Sequence, residues 1–190
     1  MKHLIFILYF SVLANHTVFA QSKTPSVTKF DFSKAPKPEQ WRSFMAAPFS
    51  ELEKLHLLYK EKGLDKSFRS ISWEWRMAWV RRCQKRNEAL CLKRLSQSLE
   101  DPALVVRSAA ARAFAERYRG TKDPKALAIL EHVFKNPANY RKGRSLFVQE
   151  SILSAIHAIG GLSARSLGHR LSKADPSLQS FWKTLNAAKL

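Results

Sequence analysis

The sequence predicts an all-α chain of stacked helix pairs, a short α-solenoid, and three observations carry that prediction. An apolar ladder at i, i+4, i+7 and i+8 runs through Val106, Ala110, Ala113 and Phe114. That spacing puts all four side chains on one face of a helix. The ladder returns 42 residues later as Val148, Ile152, Ala155 and Ile156, and stands 35 residues earlier as Ile71, Trp75, Ala78 and Trp79. Helical units repeated at such intervals cannot bury their apolar face alone, so they stack on one another. Finally, the 190 residues contain no alternation of apolar and polar residues of the kind a half-buried strand needs.

Taken in order, residues 1–20 hold Lys2, an apolar run from Leu4 to Ala14, and Val18-Phe19-Ala20 before Gln21. This is the layout of a secretory signal peptide with a small-x-Ala cleavage site. The apolar run is about half of the ~20 residues a membrane span requires. Asn15 and His16 interrupt it, which argues against an uncleaved anchor, and no Cys follows it to accept a lipid. A periplasmic or secreted protein beginning at Gln21 is therefore expected.

Residues 21–48 carry Pro25, Pro36, Pro38 and Pro48, which block long helices, and are expected to form an extended, Pro-rich arm. Phe30, Phe32, Trp41 and Phe44 are too apolar for a solvated tail, so the arm is expected to pack on the first repeat and cap it.

Residues 49–190 then read as about four antiparallel helix pairs. The first pair spans about 49–62, closed by Gly63, and 68–85. The second spans about 88–99 and 101–119, ended by Gly120, and the third 124–134 and 145–159, ended by Gly160-Gly161. A longer connection over 135–144 accounts for the 42-residue interval. The last pair covers about 162–173 and 176–188.

The unit Asp101, Pro102, Val106, Arg107, Ala110 and Ala113 resembles the HEAT and HEAT-like repeat family, whose helix pairs turn at Asp-Pro and whose second helix opens with Val-Arg. The resemblance covers roughly residues 49–190. Gln149 and Ser72 stand where the Arg would sit in the neighbouring units, and the last unit, from Asp175-Pro176, is out of step by one residue. The resemblance implies a scaffold or binding protein and names no reaction. It also implies a structural role for Arg107, paired with a turn carboxylate such as Asp101.

The formal net charge is +18, and loss of residues 1–20 removes only Lys2 among the charged groups, leaving +17. So basic a chain attracts anionic surfaces and polymers over about one Debye length, ~8 Å at physiological salt. Nucleic acid would be the first partner to consider inside a cell. Export instead ranks anionic envelope polymers, membrane surfaces and acidic proteins above it.

Cys83 and Cys91 are the only cysteines. In one continuous helix they would lie ~12 Å apart, beyond the reach of a disulfide. A chain reversal near Asn87 would bring them face to face, and the repeat phase calls for a break there. A disulfide and two separately buried thiols both remain open on the sequence.

No segment has the pattern of a phosphate-binding Gly loop, a nucleophile elbow or a zinc helix. His56, His132, His157 and His169 are scattered without carboxylate or thiol at ligand spacing, so neither a metal nor a cofactor is expected. Carrying the repeat shifts across polar positions aligns Trp73 and Arg76 with Ser108 and Arg112, and with Glu150 and Ser154. Trp73, Arg76, Arg112 and Glu150 are thus candidates to line a concave wall suited to an anionic or sugar-bearing ligand or an acidic peptide. A basic rim is expected from Arg81, Arg82, Lys85, Arg86, Lys93 and Arg94 around the cysteine hairpin. The sequence thus points to a non-enzymatic binding or scaffold protein of a bacterial envelope. A nucleic-acid-binding solenoid, or an envelope enzyme whose site assembles only in three dimensions, are the alternatives.

Overall fold

In a computed structural model, residues 30–61, 68, 70–142 and 144–188 are described. The expected signal peptide of residues 1–20, arm residues 21–29 and the loop through Asp65 lie outside them. Among the described residues the chain is helical almost throughout: α1 (Pro38–Ala46), α2 (Phe49–Glu61), α3 (Trp73–Cys83), α4 (Ala89–Leu99), α5 (Leu104–Arg117), α6 (Pro124–Phe134), α7 (Phe147–Ile159), α8 (Gly161–Ser172) and α9 (Pro176–Ala187).

The arm is not extended throughout, as the prolines had suggested. Pro38 sits in the first turn of α1, where a missing N–H is no loss, and the Gln40 side chain accepts the Lys37 N–H at 2.9 Å. The prolines frame this helix. Phe30, Phe32 and Phe44 surround Trp75, with ring centroids 5.5, 4.8 and 5.3 Å away. The indole N–H donates to the carbonyls of Asp31 and Lys34, and the Ser72 N–H donates to the Phe32 carbonyl. Arg82 closes the C-terminal end of α1 through the Met45 and Ala47 carbonyls at 2.7 and 2.5 Å. The arm therefore covers the outer face of α3, as a cap should.

From α3 onward, helices alternate direction through short turns, except for the longer connection between α6 and α7. Cys83 and Cys91 meet across the α3–α4 reversal with Cα atoms 4.8 Å apart and sulfurs at disulfide distance. Glu88, not Asn87, is the residue before α4. Asp123 and Asp175 accept N–H groups at the starts of α6 and α9, each followed by Pro in the first turn. Asp101 does not cap its helix directly. It lies two residues before the Ala103 cap position and accepts the Ala103 N–H at 2.7 Å.

Helices α3, α5 and α7 pack side by side in one layer, continued by α9 beside α7, while α4, α6 and α8 pack against them from the other side. The layer is parallel. The Gly120 and Lys122 N–H groups beyond α5 donate to the Ala158 and Ile159 carbonyls at the end of α7, at 2.8 and 3.1 Å. Every ladder residue of α5 and α7 is buried, and so are Trp75, Ala78 and Trp79, with Ile71 half-buried. Helix α7 begins two residues later than expected because Tyr140–Arg141 pairs with Arg144–Ser145 in a minimal antiparallel ladder, β1 and β2. Gly160 and Gly161, at φ +79° and +88°, turn the chain from α7 into α8 in a conformation other residues resist.

Candidate binding groove

Parallel packing of α3, α5 and α7 leaves one solvent-facing stripe on each helix. On α3 the stripe is Trp73, Met77 and Arg81, and on α5 it is Val105, Ala109, Arg112 and Glu116. On α7 it runs from Phe147 through Glu150, Ser151 and Ser154. Trp73, Arg112 and Glu150 are therefore on this face.

Arg76 is not, and the reason is a buried ion pair. Its Nε and Nη2 donate to Asp101 Oδ2 and Oδ1 at 2.6 and 2.9 Å, and its Nη1 donates to the Ile71 carbonyl. Both partners are essentially buried, at 5% and 1% exposure. A guanidinium committed this way cannot receive a ligand.

Arg107 does not bind the Asp101 carboxylate, which Arg76 already occupies. It donates to the Asp101 and Pro102 carbonyls of its own turn and to Asn139 Oδ1 and the Ala138 carbonyl of the next one. Burial pushes its pKa down, and the nearby Asp101 charge opposes that. At the corresponding position Gln149, fully buried, accepts the Leu146 N–H and donates to the Phe134 carbonyl. Arg76 and Arg107 thus each tie one second helix to the turn of the following pair.

The predicted basic rim is divided as well. Arg94 is buried over the rings of Phe68 and Trp79, 4.3 and 5.7 Å from their centroids. Arg82 holds the end of α1, and burial followed by repulsion from Arg86 lowers its pKa. Arg86 lies over the Phe49 ring at 4.5 Å and pairs with Glu88 at 2.9 Å, while Arg117 donates to the Arg86 carbonyl. The Glu88 carboxyl is held below its usual range first by its own backbone N–H and then by Arg86. Only Arg81, Lys85 and Lys93 of the six project as exposed cations, and Arg81 lies 5.6 Å from the Trp41 ring.

The groove contains residues that sequence reasoning missed. Val105 and Phe147 are 42% and 44% exposed, beside Trp73 at 46%. All three stand in the first turn of their helices, so they form an apolar row along one edge of the layer. The signal was available, since Val105 and Phe147 are related by the same 42-residue shift as the ladder. One turn further on, Ser108 Oγ and Ser151 Oγ meet at 2.7 Å, with Ser151 also donating to the Phe147 carbonyl. The Arg112 guanidinium folds back over them, its Nη2 3.5 Å from Ser108 Oγ. Beyond it, Gln84, Arg119, Ser154 and His157 line a cleft that Leu185 of α9 closes. Arg119 is paired with Glu116 at 2.5 Å, and His157 stands edge-on to Trp182 at 5.7 Å.

No group of three or more His, Cys, Asp or Glu side chains able to hold a metal ion occurs among the described residues, and no helix among them is long and apolar enough to cross a membrane. Comparison with protein-family models, curated proteins and solved structures returns no match.

Proposed function

We propose that this chain is a HEAT-like α-solenoid that acts without catalysis, as a binding or scaffold protein of a bacterial cell envelope. It is periplasmic or secreted once residues 1–20 are removed, and its partner is an anionic ligand or an acidic protein. The observation that carries the reading is the open face of α3, α5 and α7, where exposed Trp73, Val105 and Phe147 lie beside an exposed guanidinium. A monomer rarely leaves so many large apolar side chains on one edge without use. The net charge, +18 for the full chain and one less without Lys2, adds long-range attraction for an acidic partner. The same charge also suits nucleic acid, which the export signal places second.

The test joins location to binding. The protein recovered from an envelope fraction should begin at Gln21 by mass mapping, and immobilised poly-glutamate should retain it less as salt is raised. Charge reversal belongs at Arg81, Lys85 and Lys93, which are exposed to solvent. A cytoplasmic chain that keeps Met1 would overturn the envelope assignment and promote nucleic acid. Retention indifferent to salt and to the triple reversal would remove the anionic partner.

A further inference from the structure

Two facts about the groove define the chemistry of its occupant more narrowly than charge does. The arm's aromatic residues cover Trp75, whereas Trp73, Val105 and Phe147 stay uncovered. The apolar edge is thus not a seat for the described part of the arm. The cation is also closer to that edge than the sequence separation of Val105 and Arg112 suggests. Seven residues of helix would put it ~10 Å away. Because Arg112 Nη2 reaches back to Ser108 Oγ, the charge sits about three residues, or ~5 Å, along α5 from Val105. Measured on α7, Phe147 and Ser151 are four residues apart, or ~6 Å.

An extended chain repeats side chains on one face every two residues, about 6.6 to 6.8 Å. That matches the offset between apolar row and guanidinium. Neighbouring side chains on a strand point to opposite faces and cannot reach both. The floor between the two features is small: Ala109 on α5 and the Ser108–Ser151 pair. It leaves room for a peptide backbone.

Resting on the binding function proposed above, we infer that the groove takes an extended segment of an acidic partner protein. A large apolar side chain of that segment lies against Val105 and Phe147 on the adjacent helices α5 and α7, and a carboxylate two residues away meets Arg112. The preferred pattern is therefore apolar-x-acidic or its reverse. Specificity comes from the spacing, because bulk negative charge alone engages the exposed cations equally well.

Fluorescence anisotropy of the purified protein with labelled peptides of one composition tests this. Two peptides place Phe and Glu at i and i+2 in the two orders, and a control places them side by side, all in a Ser and Gly background. At least one spaced peptide should bind about tenfold more tightly than the control, the worth of one seated aromatic side chain. Phe147→Ser and Arg112→Gln should each erase that preference, while retention on poly-glutamate survives Phe147→Ser. Circular dichroism confirms that both variants, altered at exposed positions, are folded. Equal binding of spaced and adjacent peptides with salt-sensitive poly-glutamate retention would overturn this inference and leave the proposed function standing. Failure of both the spaced peptides, at concentrations up to about 1 mM, and poly-glutamate would overturn the two together.

Discussion

Replacing Asp101 by Asn tests whether the buried Arg76–Asp101 pair fastens the first helix pair to the second. Asn preserves shape and keeps an oxygen for the Ala103 N–H, so the change removes the charge with little else. It leaves a guanidinium at 5% exposure facing an amide where a carboxylate stood, with bonds of 2.6 and 2.9 Å weakened or lost. Breaking a buried pair by removing one partner costs about 3 to 5 kcal/mol. Domains of this class hold about 5 to 15 kcal/mol in all, so the loss would lower Tm by roughly 10 °C. Urea unfolding followed by circular dichroism measures it directly. Arg76→Met should destabilise too, by orphaning the carboxylate, yet the double variant should recover about 2 kcal/mol or more relative to the summed single losses. A loss below about 1 kcal/mol for Asp101→Asn, or strict additivity in the double variant, would refute the idea that this pair holds the two helix pairs together.

Three further outcomes are expected. A Cβ at Gly168 would fall on the indole ring of Trp182, so Gly168→Ala should destabilise by about 1 to 3 kcal/mol and alter tryptophan emission as α9 shifts. Reduction should lower the unfolding midpoint of the wild type but not of a Cys83→Ser, Cys91→Ser variant, since closing so short a loop contributes about 2 to 3 kcal/mol in the chain-entropy model. Glu131, hydrogen-bonded first by Arg170 and then by Lys135, has its pKa lowered from 4.5 to about 2. Its depressed pKa means that its contribution is complete above pH 4.5 and is lost as pH falls through about 2. The pair is largely solvent-exposed, so the contribution is small. An NMR titration of Arg170→Gln should show Glu131 returning toward its ordinary value.

The fold was legible where burial follows from period alone. The ladders on α5 and α7 are fully buried, and the cysteine hairpin closes where the repeat phase required a reversal. The helical class and most of the boundaries follow from the same local rules. Prolines misled the reading of 38–46 because proline forbids a helix interior yet suits a first turn, and composition does not distinguish the two positions.

The sequence by itself determined that this chain is helical, repetitive and strongly basic, since these properties are set by spacing and by counts of residues. Only the tertiary structure decided which arginines are available. Arg76, Arg82 and Arg94 look no different in the sequence from Arg81 and Arg112. Their roles depend on whether a carboxylate, a helix end or an aromatic ring from a distant segment meets them. The apolar edge of the groove is of the same kind. Trp73, Val105 and Phe147 come to one edge of the layer only because α3, α5 and α7 pack in parallel, so that residues more than thirty positions apart share one end of it.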